Sequence, residues 1–391
     1  MLRIELSPGR ERRPMAGHPW VFSNEIAGID GERLPGAPAE VYSHGGKLIG
    51  TGYYNPRSLI AVRLLAPGRA DIDAPAFYLE RLQRALDVRR TLYPGLETYR
   101  VVHGEGDFLP GLVVDKYGGY LSIQLLSWGM DARREPIVEA LVELFRPAGI
   151  VARNDVAVRS LEGLDERVEI LYGDIPDEVE IEEHGLRFRV NLTAGQKTGH
   201  FLDQKENHLL LKEISPGREV LDCFCYSGSW GVHAAHFGAR GVTCVDISER
   251  AIGLARENAA LNGLDSHIDF EVADVFDRLR TLKGEARSFD LIVLDPPAFV
   301  KSKKALREAE KGYLTINRRA LDLLRPGGYL ITCSCSYHME REMFRELLAA
   351  AARQAGTSMR LVTVRSQAPD HPVLLHVPET EYLKCVVLQR V

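Results

Sequence analysis

The 391-residue sequence is short of several things that would narrow its function quickly. No G-x-G-x-x-G run occurs, so the bare backbone that a dinucleotide pyrophosphate needs is missing. No stretch approaches the roughly 18 apolar residues of a membrane span, and the opening MLRIELSPGRERR has no apolar leader core. The expectation is a cytoplasmic protein with no membrane partner. Cysteine is sparse: six residues, at 223, 225, 244, 333, 335 and 385, all in the second half. That clustering argues against a secreted disulfide frame and for a reducing compartment. The net charge of −5 does not advertise nucleic acid, but it is unevenly spread. Residues 1–70 hold nine Lys/Arg and six Asp/Glu (+3), residues 71–190 hold 14 and 23 (−9), and the remainder holds 26 and 25 (+1). A basic first module is compatible with phosphate contact; a mixed-charge surface accounts for it as well.

What is present is organised around Glu219 to Ser248, EVLDCFCYSGSWGVHAAHFGARGVTCVDIS. An apolar run, Val220-Leu221, ends in Asp222 and opens into the small-residue turn Cys225-Tyr226-Ser227-Gly228. A helical pattern follows, then a second apolar strand, Gly241–Val245, that stops at Asp246. This strand–loop–helix–strand–acid unit opens many nucleotide-binding α/β sheets, and an acid at that strand end can accept a ribose diol. Gly228 and Gly231 alone suit a ligand with a ribose and no phosphate. S-adenosylmethionine (SAM) is such a ligand, and an ordinary βαβ unit with a packing glycine fits this stretch equally well. Two further strands add weight. Leu291–Leu294 ends in Asp295-Pro296-Pro297-Ala298-Phe299, and Tyr329–Thr332 ends in Cys333-Ser334-Cys335-Ser336. Ligands of open parallel sheets bind beyond the carboxyl ends of the strands, and all four ends carry polar groups suited to chemistry.

In chain order, residues 1–70 read as a small β module with strand-like pieces at 39–42 and 59–64. Trp20 and Phe22 lie beside the Arg10–Arg13 cluster, a combination that suits stacking on unpaired bases, although a small core would use the same aromatics. Residues 71–190 read as an α+β domain: a helix over 76–93, a hairpin across Gly118-Gly119, a helix over 131–145, strands at 150–153 and 168–171, and a second hairpin around His184-Gly185. Residues 191–391 form the α/β domain. Gly195–Gly199 lacks the spacing of a phosphate loop and is read instead as a lid, with Lys197 and Asp203 as polar arms. Ser248 is a candidate N-cap for a helix that Asn262-Gly263 stops. Asp274 closes a third strand, where it can accept an adenine amino group, cap a helix, or do both.

Taken as an ordered set, GHPWVFSNEI, GEGDFLPGLVVDKYG, QKTGHFLDQ, VLDCFCYSG, VDIS, DPPAFVKSK, GYLTIN, SCS and DHPVLLHVPETEYLK resemble the RlmI-like 23S rRNA cytosine-C5 methyltransferases across essentially the whole chain. The resemblance implies a Rossmann-like class I methyltransferase domain preceded by a small β PUA-like domain and an α+β middle domain. It implies SAM contacts at Thr198, Phe201 and Asp203, at Cys225, Tyr226, Ser227 and Gly228, at Asp246 with Ile247, at Asp274 with Val275, and at Asp295 with Pro296. It also implies 23S rRNA as partner and a homodimer. Two departures stand out: His208 where Arg is common, and Cys333 where a bulky apolar residue is common.

Cytosine C5 is a weak nucleophile until a thiolate adds at C6. Within the resemblance Cys335 is the nucleophile and Asp295 the partner of the base N3, while Cys333 packs. An extended segment turns the two thiols to opposite faces. No second cysteine follows Pro297, so a single thiol is expected to act. The rival enzyme is an exocyclic-amine (N6-adenine or N2-guanine) methyltransferase using Asp-Pro-Pro, weakened by the Ala298 that intervenes before Phe299. A zinc site from Cys223, Cys225, Cys333 and Cys335 is disfavoured by its C-x-C spacing, and no metal is expected. A non-catalytic RNA-binding factor is a third class. Lys301, Lys303 and Lys304 beside the DPP loop suit RNA.

Overall fold

The computed structural model describes residues 1–195, 199–299 and 306–391. They divide into two compact units. The first holds Met1–Ile181, Val190–Leu202 and Pro369–Thr380; the second holds Glu182–Arg189, Asp203–Ala368 and Glu381–Val391. Residues 191–202 and 369–380, grouped from sequence with the last domain, therefore pack in the first unit.

The first unit contains a six-stranded sheet ordered Trp20–Val21, Val62–Pro67, Leu48–Tyr54, Pro38–Tyr42, Leu2–Leu6 and Ile26–Asp30. Alternation drives it: Leu2, Ile4 and Leu6 point inward with Val21, Val41 and Val62. The strand expected at 59–64 runs instead over Val62–Pro67. A second sheet is ordered Val168–Gly173, Gly149–Arg153, Tyr120–Leu125, Leu112–Tyr117 and Thr98–His103. The helix Pro75–Leu92, started by proline at its first position, lays Tyr78, Leu82, Ala85 and Leu86 on this sheet's core. Tyr53 and Leu65 of the first sheet are buried in that same core. Gly129 faces the Tyr53 ring so closely that a Cβ would stand 2.0 Å from its Cγ, so only glycine fits. Arg89, fully buried, pairs with Asp107 and donates to Arg100 O and Asp370 O, which ties the Pro369–Thr380 stretch into this unit.

The second unit is built on a seven-stranded sheet. Its strands are β1 (Glu219–Cys223), β2 (Gly241–Asp246), β3 (Ile268–Val272), β4 (Phe289–Leu294), β5 (Leu324–Ser334), β6 (Met359–Arg365) and β7 (Lys384–Arg390). The order is β3-β2-β1-β4-β5-β7-β6. Strands β1 to β5 pair in parallel, and β7 runs antiparallel to both β5 and β6. The five parallel strands match the five strands read from the sequence, of which Ile268–Val272 is the one that is not an apolar run. Leu291–Leu294 is buried throughout because a parallel strand in this layer is covered on both faces. Ser248 accepts the N–H of Ala251 and caps the helix Glu249–Leu261 as expected. With β4 between β1 and β5, Cys223 and Cys333 are separated by a strand.

Candidate active site

The strand ends of the second unit carry the groups singled out from sequence. After β1 the chain turns sharply: Phe224, Tyr226 and Gly228 all have positive φ, at 62°, 47° and 79°. Non-glycine residues in that region cost on the order of 1–3 kcal/mol, and such strain gathers where ligands bind. The turn is clamped to the end of β2, since Cys225 N donates to Val245 O over 3.2 Å and Tyr226 N to Asp246 Oδ2 over 3.0 Å. Asn258 holds it from the following helix by donating to Ser227 O over 3.0 Å.

Asp246 also accepts Ser248 N on Oδ1 at 2.9 Å. A carboxylate offers about four acceptor sites, so a half-buried Asp246 with two backbone donors retains capacity for a diol. Ile247 beside it is 69% exposed, an apolar surface at the strand end. Asp274 is exposed and caps the helix Val275–Gly284 by accepting Asp277 N at 3.0 Å, while Val275 is buried beneath it.

Beneath the turn, Asp222 is fully buried and accepts Gly231 N at 2.9 Å. Burial raises its carboxyl to about 8, with the Asp295 and Asp246 charges adding to the shift, so Asp222 is a neutral acid at pH 7. Gly231 is required by close approach: a Cβ there would lie 2.3 Å from Cys244 Sγ.

At the end of β4, Asp295 Oδ2 accepts Gln204 Nε2 at 3.0 Å and Trp230 Nε1 at 3.1 Å. Pro296 is buried behind it. Asp203 is buried, its Oδ2 accepting the Tyr382 hydroxyl at 2.6 Å. At the end of β5 the two thiols separate. Cys333 is fully buried opposite Cys385, and burial holds its thiol well above the usual range. Cys335 is half-buried, whereas the other five cysteines are buried. The Tyr313 hydroxyl lies 3.2 Å from Ser336 Oγ, and burial pushes it up to about 12.

Thr198, Lys197, Lys301, Lys303 and Lys304 lie outside the described residues. Phe201, half-buried, belongs to the first unit. Sequence reasoning missed four groups at these strand ends: Gln204, Trp230, Tyr313 and Lys384. The signal for Lys384 was a lysine heading the otherwise apolar run Cys385–Leu388. It also missed a buried cluster. His208 Nδ1 donates to Glu183 Oε1 at 2.6 Å, and His233 Nε2 lies 3.6 Å from the same oxygen. Among the described residues these three bring ligand atoms within 4.8 Å of one another, close enough to hold a metal. His208 thus fills its departure from the resemblance as a partner for Glu183.

In the first unit, Trp20 and Phe22 are half-buried, and Trp20 Nε1 donates to Glu105 Oε1 at 2.8 Å. Arg13 stacks 4.7 Å over the Phe22 ring, beside a cleft of about 580 Å³ that Arg10, Arg12, Asn24 and Leu59 help to line.

A family model for S-adenosylmethionine-dependent methyltransferases matches residues 128–387, and one for PUA-like domains matches residues 4–67. The ribosomal RNA large subunit methyltransferase I of Pseudoalteromonas atlantica is 42% identical over 388 residues, covering 98% of both chains. The chain belongs to the ribosomal RNA large subunit methyltransferase I family. A second member, from Shewanella denitrificans, is 41% identical over 99% of this chain and 98% of its own. A Streptococcus mutans structure assigned as a SAM-dependent methyltransferase superposes with a TM-score of 0.86 at 23% identity over all of both chains, which shows the shared fold. The protein is thus a class I, SAM-dependent methyltransferase with a PUA-like domain. Its strand ends fit that cofactor: the acceptor capacity left on Asp246 suits a ribose, and the turn above it is already held in the strained form.

Proposed function

We propose that this methyltransferase forms 5-methylcytosine in 23S rRNA through a covalent adduct between Cys335 and C6 of the target base. One observation carries the reading: of six cysteines, Cys335 is the one not buried, and it follows β5, whose parallel neighbour β4 leads into Asp295. The large-subunit substrate rests on the names of the relatives.

The bound cofactor supplies an electrophilic methyl group. The Cys335 thiolate forms the S–C6 bond, and the C5–C6 π pair becomes available at C5 to take the methyl that bound SAM would supply, the sulfonium sulfur keeping the S–CH3 pair and leaving as a neutral thioether. Asp295, held by Gln204 and Trp230, shares a proton with N3, which disperses the charge that addition creates. Loss of the C5 proton then returns the pair to break S–C6. In this reading SAM is held by Thr198, Phe201 and Asp203, by the Cys225–Gly228 turn, and by Asp246 with Ile247, Asp274 with Val275, and Asp295 with Pro296.

A cytosine must be unpaired or flipped to expose C6, so naked or partly assembled 23S rRNA in the cytoplasm is the substrate state. The PUA-like domain, proposed as residues 1–70, presents the Arg10–Arg13 face to RNA. Residues 71–190 form the middle domain and residues 191–391 the catalytic one. The working assembly is a homodimer, which a solution mass measurement checks.

The test is methyl transfer from labelled SAM to 23S rRNA stripped of modifications, comparing wild type with Cys335→Ala and identifying the product nucleoside. Wild type should give 5-methylcytidine and the variant none. An N-methylated base, or activity surviving in Cys335→Ala, overturns the reading.

A further inference from the structure

A single-thiol route needs a source of thiolate, because a free cysteine has a pKa of about 8.5. The sequence offers no obvious neighbour. The sheet supplies one from 49 residues downstream, because β7 folds back antiparallel against β5. Lys384 is the cross-strand partner of Ser334, and its Nζ donates to Ser336 O over 2.7 Å. The two residues flanking Cys335 are therefore both tied to one lysine. A second bond, to Tyr382 O at 2.7 Å, fixes the ammonium from its own strand, and the side chain is 5% exposed.

Two carbonyl dipoles satisfy part of a buried ammonium but leave its charge uncompensated. The charges that act on it are those of Cys335, Glu381 and Arg341. Glu381 and Arg341 pair with each other. Burial lowers Lys384 to about 8, and Cys335 pulls it back upward. Tyr313, whose hydroxyl lies 3.2 Å from Ser336 Oγ, is pushed up to about 12 by burial, so it remains a neutral hydroxyl. An anion beside the ammonium relieves its desolvation, and the same contact favours the ionised form of the thiol.

We propose that Lys384 is a positioning residue that keeps the Cys335 sulfur as a thiolate, its ammonium anchored to the Cys335 segment by the carbonyls of Ser336 and Tyr382; this rests on Cys335 being the nucleophile proposed above. The thiol proton leaves to solvent and Lys384 keeps all three of its own. When sulfur adds to C6 its charge is lost and Lys384 faces a neutral thioether. When the S–C6 pair returns to sulfur, the restored thiolate charge again faces the ammonium.

The experiment is alkylation of the full-length protein by iodoacetamide across pH, read at Cys335 by mass spectrometry, in wild type, Lys384→Met and Lys384→Arg, with thermal melts alongside. Neither RNA nor SAM is needed. The wild-type midpoint should lie below about 8.5. Lys384→Met should raise it by about one unit, which lowers Cys335 alkylation at pH 7 about tenfold, and Lys384→Arg should restore most of the rate. A wild-type midpoint at or above the ordinary thiol value overturns the proposal by itself, even if Lys384→Met does not fold. So does a folded Lys384→Met with an unshifted midpoint, or a Lys384→Arg that behaves like it. An acidic Cys335 in a protein whose Cys335→Ala form still methylates RNA would instead sink the covalent mechanism and leave the ion pair standing.

Discussion

Trp230 Nε1 donates to Asp295 Oδ2 over 3.1 Å, joining residues 65 apart in sequence at the end of β4. The indole comes from the helix Ser229–His236 that follows the β1 turn, so the turn and the candidate N3 partner are built as one piece. A hydrogen bond to a charged acceptor contributes about 1.5–3 kcal/mol. Trp230→Phe keeps the aromatic bulk and removes the donor. Steady-state methyl transfer should show kcat reduced about 10- to 100-fold with the fold retained by circular dichroism. An unchanged kcat would remove Asp295 from the reacting set.

The fit of Gly231 against Cys244 gives a stability prediction. Gly231→Ala places a methyl 2.3 Å from Cys244 Sγ, and overpacking of this kind costs about 1–3 kcal/mol. Cys244→Ala removes the obstructing sulfur. Urea unfolding of the two single variants and the double variant should therefore show the double to be less destabilised than the sum of the singles. Strict additivity would mean that the strain lies elsewhere.

Asp222 sets a pH dependence. Burial raises its folded pKa to about 8, far above the ordinary carboxyl value of about 3.9. The folded state thus binds a proton that the unfolded chain releases. Its contribution is complete below the unfolded value and is lost as pH rises toward about 8. Asp222→Asn, which can still accept from Gly231 N, should remove this decline. Urea midpoints measured from pH 5 to 9 should fall for wild type relative to the variant.

His233 works in the opposite sense. Burial, helped by His208, lowers it to about 3, against about 6.5 in an unfolded chain. Its contribution is complete above the unfolded value and is lost as pH falls from there toward about 3. The ring lies face to face with Phe188 at 5.7 Å, so His233→Phe keeps an aromatic ring in that stack while removing the titrating group. The variant should lose less stability than wild type between pH 6.5 and 4, read by the same urea midpoints. An identical acid limb would show that His233 is charged in the folded state.

The chain by itself determined the five parallel strands and the chemical group at the end of each. Apolar runs that halt at Asp222, Asp246, Asp295 and Cys335 are local patterns, readable because a parallel strand covered on both faces must be apolar and its end must turn polar. The Ser248 cap is equally local. The resemblance already distinguished Cys335 from Cys333, but only tertiary structure decided what surrounds each, placing Cys333 in the core opposite Cys385 of β7 and Cys335 half-buried just past the strand. It also decided how Asp295 is held, through Gln204 and Trp230 arriving from 91 and 65 residues away. The Glu183, His208 and His233 cluster belongs to the same class, because its members are scattered over 50 residues and share no spacing. The physical reason is common to all three. A hydrogen bond or a buried charge is satisfied by proximity in space, and an antiparallel return such as β7, whose residues alternate little and whose partner is remote, leaves no periodic mark by which a sequence announces what it will touch.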